Sequence, residues 1–376
     1  MRRITTTAIA LTAVSALALT GCGRSDSGSG STATTGGSGS ATTGGSGGFA
    51  ADSYIGIALP KKTSENWTLA EDLFKKGLAD AGFKGDVQFA NNGVAEQQNQ
   101  IQTMVTKGAK VVVIGALDGG QLASQAKAAK DAGATVIAYD RLILNTPNVD
   151  YYVAFDNRKV GQLQGQALLD GLKAKKPNGP YNIELLAGSP DDSNAKVFFD
   201  GAMDVLKPKI DDGTLKVVSG QKEFTQVVTQ DWKAENAQKR MDNLLTANYS
   251  SATLDGVLSP NDTLARAVLT SVKAAGKPAP VVTGQDSEVE SVKSIVSSDP
   301  YAQYSTINKD TRKLVAATLD MIKALQKGQK PTVTDEKQYN NGVKVVAANL
   351  LEPVIVTKAN AKEAYKDDPT LSKITG

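Results

Sequence analysis

The feature that most constrains this chain is an alternation of short apolar runs with helical patterns, and it occurs twice. "YIGIALP" (54–60) reads as a strand, followed by "WTLAEDLFKKGLADAG", where Leu69, Leu73, Phe74 and Leu78 keep a 3.6-residue spacing up to Gly82. "DVQFAN" is the next strand. The helix "AEQQNQIQTMVTKG" turns Ile101, Met104 and Val105 inward and stops at Gly108. "KVVVIGAL", a helix through 121–132 and "ATVIAYD" complete the set. Strands apolar on both faces and separated by helices predict a parallel sheet covered on two sides, an α/β fold.

A second set begins at "NIELLAGS" (182–189), with "NAKVFFDGAMDVL" as its helix and "LKVVSGQ" as its second strand. "QIQTMVTKGAKVVVIGALD…AAKDAGATVIAYD" aligns with "AQKRMDNLLTANYSSATLDGVLSPND…SVKAAGKPAPVVTGQD". Both read helix, apolar strand with a polar turn, helix ending in Ala-Gly, and apolar strand ending in aspartate. Asp140 and Asp286 therefore hold equivalent positions in two similar lobes. Ligands of open parallel sheets bind beyond the carboxyl ends of the strands, so two facing lobes would share one cleft. The polar residues expected there are Glu65, Asn66 and Trp67, Asp140 and Arg141, Asp156 and Asn157, Asn261 and Asp262, Asp286 and Lys309. Such a set suits a neutral polyol. Carboxylates and amides serve hydroxyls, Arg141 donates to two oxygens at once, and Trp67 covers an apolar C–H face. Asp156 is expected to cap the next helix while Asn157 reaches the ligand. Asp262 is expected to be the cap of its own helix. Trp232, in "DWKAENA", reads as a packing residue.

The front end has a different character. "MRRITTTAIALTAVSALALTGC" joins Arg2 and Arg3 to an apolar stretch too short and too rich in Thr and Ala to span a membrane, which predicts a secretory signal. "LTGC" resembles a bacterial lipobox, which makes Cys22, the chain's single cysteine, the expected lipidation site and residues 1–21 the signal peptide. Residues 22–52 then form a Gly/Ser/Thr-rich tether that holds the body outside the membrane. Loss of Arg2 and Arg3 would leave 40 basic residues against 39 acidic, with no electrostatic footprint for nucleic acid. The chain has no histidine, which rules out a Ser-His-Asp triad and histidine-ligated metal, and one cysteine cannot form an internal disulfide.

The segments "VIAYDRLI", "YYVAFDNRKVGQLQG", "GSPDDSNAK", "GAMDVLKP", "MDNLLTAN", "VLSPND", "GQDSEV" and "NNGVKVV" resemble the bacterial periplasmic sugar-binding proteins of ABC transporters, nearest their xylose-binding and multiple-monosaccharide-binding branch. The resemblance runs from Ser53 to about Lys358. It implies the type I periplasmic-binding fold, with Rossmann-like lobes over 53–157 plus 309–340 and over 158–308 plus 341–376, joined by three hinge crossings. It further implies a monomeric, cofactor-free binder and no enzyme: a lipid-anchored receptor on the extracytoplasmic face that hands a monosaccharide, xylose first, to a permease. A sugar or autoinducer receptor for chemotaxis or two-component signalling is the alternative. In this resemblance Trp67 matches the stacking aromatic, Asp140 and Arg141 the Asp-Arg pair, and Asn157 and Asn261 the two amides. Asp286 matches the aspartate of Gly-Gln-Asp and Lys309 a late hinge lysine. Asn66 stands where close relatives often carry arginine, and Phe224 is the candidate for a second stacking aromatic.

Overall fold

The computed structural model describes residues 48–62 and 64–376; Cys22 and the signal segment lie outside them. Strands run in chain order β1 (Tyr54–Leu59), β2 (Lys84–Phe89), β3 (Val111–Ile114), β4 (Thr135–Tyr139) and β5 (Tyr151–Phe155). There follow β6 (Tyr181–Leu185), β7 (Leu215–Val217), β8 (Gly256–Leu258), β9 (Val281–Val282), β10 (Ser305–Asn308), β11 (Ala347–Leu351) and β12 (Val354–Thr357). One sheet has the order β11-β5-β4-β3-β1-β2 and another β7-β6-β8-β9, with every pairing in both parallel. β10 and β12 pair antiparallel.

The apolar strand sequences follow from this burial. In β3, Val111 and Val113 enter one core while Val112 and Ile114 enter the other, because successive side chains leave opposite faces and helices cover both. Each such side chain is fully buried and worth about 1.5–3 kcal/mol, which leaves little tolerance for polar residues until the strand ends.

The chain crosses between lobes three times. The first crossing lies between β5 and the helix Asn157–Lys175. The second lies between β10 and the helix Thr311–Gln326, which packs on the helix Glu65–Asp80 of the first lobe. The third is not at residue 340, as the sequence predicts. β11 pairs with β5 in register Ala347 to Tyr151, so the first lobe keeps the chain through Leu351 and the crossing is Glu352-Pro353. The intervening loop is tied to the first lobe as well, since Asn341 Nδ2 donates to the carbonyls of Ile143 and Thr146.

Candidate functional site

In each sheet the chain order reverses beside the first strand, between β1 and β3 and between β6 and β8, and each reversal opens a crevice at the carboxyl ends. Both crevices hold a tryptophan. Gly115 follows β3, and a Cβ there would lie 3.3 Å from the Trp67 ring. Gly188 lies just beyond β6, and a Cβ there would sit 2.1 Å from the Trp232 ring. The tryptophans line a polar pocket between the lobes.

The charged walls come from the strand ends. Asp140 follows β4 with φ 60°, and Asp286 follows β9 with φ 96°, left-handed geometry that non-glycine residues rarely adopt. Around Asp140 the Arg141 N–H returns to the Tyr139 carbonyl at 2.6 Å, a tight turn that projects both side chains at the second lobe. Arg141 Nε stands 3.0 Å from Asp192 Oδ2, an ion pair without a well-aligned hydrogen bond. The guanidinium also lies 5.3 Å from the Trp67 ring centre. Lys309 Nζ is 3.0 Å from Asp286 Oδ1, with both side chains only 9% exposed. Burial opposes the Lys309 charge, but Asp286, Asp140 and Asp192 together hold its pKa above the ordinary lysine value. Burial pushes the Asp140 carboxyl above the usual carboxylate range, with Asp192 and Asp286 adding to the rise and Lys309 and Arg141 opposing it.

Of the residues expected from sequence, Asn66, Trp67, Asp140, Arg141, Asn261, Asp286 and Lys309 line this cavity. Glu65 does not. It borders an adjoining outer cavity, where its Oε2 accepts the Val289 N–H at 2.8 Å across the lobes. Asn157 is buried one layer behind, donating from Nδ2 to Asn194 Oδ1 at 3.0 Å and to the Tyr152 hydroxyl at 3.1 Å. Asp156 caps its helix as expected, accepting the Lys159 N–H. In the second lobe the expectation reverses. Asn261 is the cap, accepting the Leu264 N–H at 3.0 Å, and Asp262 is fully buried on Gln303, Thr306 and the Glu288 N–H. Phe224 packs on Phe199 with ring centres 5.9 Å apart and is not among the lining residues.

Several lining residues lie outside the set expected from the sequence, which reads Trp232 as a packing residue. Trp232 is one, its indole N–H donating to Asp192 Oδ2 at 3.1 Å. Asp192 and Asn194 come from the loop and first turn of the helix Ser193–Asp211, where Asp192 caps Asn194. Asn194 Nδ2 donates across the cleft to the Asp140 carbonyl at 2.9 Å. Phe198 carries Lys309 Nζ over its ring at 5.2 Å. Gln285 completes the second-lobe wall.

Comparison with known proteins decides the family. Residues 55–330 match the family described as periplasmic binding protein domain. The chain belongs to this family. The multiple sugar-binding periplasmic receptor ChvE of Rhizobium radiobacter is 52% identical over 318 residues, 83% of this chain and 89% of that protein. The D-xylose-binding periplasmic protein of Escherichia coli strain K12 is 37% identical over 320 residues, 85% of this chain and 91% of that protein. The crystal structure of an ABC transporter solute-binding protein from Clostridium phytofermentans with bound β-D-glucose superposes with a TM-score of 0.81 at 39% identity. It covers 86% of this chain and all of that one. The two-lobed α/β architecture is thus the family's own.

Proposed function

We propose that this periplasmic binding protein captures one monosaccharide between its lobes and delivers it to an ABC permease, binding without chemical change. Xylose is the first choice, with glucose, galactose and arabinose close behind. The observation that carries the reading is the pair of tryptophans, one seated at each sheet's reversal, flanking a cavity lined by carboxylates, cations and amides. Aromatic rings take the C–H faces of a pyranose, and the polar rim takes its hydroxyls. Asn66, Trp67, Asp140, Arg141, Asn261, Asp286 and Lys309 are proposed to touch the sugar, with Trp232 as the second stacking ring. Glu65 and Asn157 are proposed to act from outside, through lobe contact and through Asn194. Similarity to receptors named for sugars supports this, as does a glucose-bound neighbour. The Cys22 lipobox would tether the receptor to the membrane; among the described residues no helix is long and apolar enough to cross one.

The chain has only two tryptophans, Trp67 and Trp232, and both line the cavity. Titrating the protein with aldopentoses and aldohexoses while following tryptophan fluorescence should give a saturable change with at least one sugar. A flat signal across the panel would contradict the proposal.

A further inference from the structure

The residue between Gly284 and Asp286 is held more firmly than any surface glutamine needs to be. The Gln285 carbonyl accepts the Asp262 N–H at 3.1 Å, the Asp286 N–H donates to Ile307 at 3.0 Å, and the Ile307 N–H returns to Gly284 at 3.1 Å. Asp262, which anchors this hub, is itself fixed by three donors, the Glu288 N–H, the Gln303 amide and the Thr306 hydroxyl. The Gln285 backbone is therefore pinned at the cavity wall, and its side chain is 1% exposed. Its Oε1 is shielded from solvent with no hydrogen-bond partner among the described residues. A buried amide left without partners is costly, and native folds retain few of them without a use.

Resting on the sugar-receptor reading, the structure assigns Gln285 as a specificity-determining residue whose side-chain amide reads a hydroxyl of the bound aldose. The rest of the wall makes such a reader useful. Asp286 is committed to Lys309 and Arg141 to Asp192, and the Asn261 oxygen is spent on its helix cap. Gln285 alone on the second-lobe wall presents an uncommitted acceptor and donor on one planar group. That group spans two neighbouring hydroxyls and is sensitive to their relative orientation. Interchange of the amide oxygen and nitrogen leaves the argument unchanged, because both faces of the pairing are then offered in the opposite order.

The test is a ligand–protein double-mutant cycle by isothermal titration. Wild type and Gln285→Met are titrated with D-xylose, D-glucose, D-galactose and L-arabinose, then with each monodeoxy analogue of whichever sugar binds tightest. Gln285→Met is expected to keep the melting temperature and to bind the parent sugar about tenfold more weakly. One monodeoxy analogue should lose about tenfold against wild type and nothing further against the variant. If Gln285→Met melts early, Gln285→Leu, which also removes the amide without placing a charge beside Asp286, carries the same cycle. Identical analogue rankings in wild type and variant would reduce Gln285 to a structural residue and overturn the inference while the receptor reading stands. Failure of wild type to bind any of the four sugars would overturn the receptor reading, and the inference with it.

Discussion

The Asp140 carboxylate meets the protein at one long contact, 3.4 Å from Asn194 Nδ2, whereas Asp192 and Asp286 each stand against a cation. A carboxyl whose pKa is raised on folding stabilises the fold below its unfolded value, ordinarily about 3.9, and loses that contribution as pH rises through the folded value. Asp140→Asn should therefore raise the melting temperature of the unliganded protein at pH 7, and the gain should shrink at pH 4. Sugar hydroxyls donate to the ionised form, so affinity should be level near neutrality and start to fall above the ordinary carboxylate range on acidification. Thermal melts and sugar titrations from pH 4 to 8 check the two in turn. The glycines give a second contrast. Gly188→Ala forces the Trp232 ring out of its seat and should weaken binding about tenfold, the value of one stacked ring. Gly115→Ala needs the Trp67 ring to give by only a few tenths of an ångström and should cost under about threefold in the same titration.

Helices carry the amides of the site by their first turns, and there capping and ligand contact are separable. Asp156→Ala removes a cap alone, and should lower stability by about 1 kcal/mol without changing affinity. Asn261→Asp keeps an acceptor for the Leu264 N–H but loses the amide donor, so it should spare the fold and weaken binding, as thermal melts paired with titration would report. Elements were also the scale at which sequence was most legible. Asp140 and Arg141 stood out because a strand buried on both faces has no reason to end in charge, and the repeat pointed to Asp286 in the same way. Trp232 escaped because its turn, with φ near 58° at Asp231 and 54° at Trp232, follows no helical or strand period. Asp192 and Asn194 were lost among like residues in a polar loop. The choice between Asn261 and Asp262 as cap depended on a buried cluster from Gln303 and Thr306, more than forty positions away.

At the scale of the whole molecule, polar contacts join the lobes around the cavity. Lys61 meets Asp231 at 3.0 Å at one edge, Glu65 meets the Val289 N–H at the other, and Leu142 donates to Ser193 Oγ between them. The exposed pair contributes at most about 1 kcal/mol, while behind it the buried Arg141–Asp192 ion pair and the bond of Asn194 to the Asp140 carbonyl also join the lobes. On the proposed function, a sugar bridging Asp140 and Arg141 on one lobe to Asn261 and Asp286 on the other would add to that closure. A ligand shifts such an equilibrium only by its preference for the closed state. The repeat made two lobes legible, but the third crossing was not. β11 rejoins the first sheet through "AANLL", which lacks the strongly apolar, β-branched character of β3 and β4 because it pairs at the sheet edge.

The most direct measurement is isothermal titration of the protein with xylose, glucose, galactose and arabinose, alongside Asp140→Ala and Arg141→Ala. The account predicts micromolar or tighter binding to at least one sugar, lost in both variants. Binding to none of the four, or binding left intact by both substitutions, would contradict it.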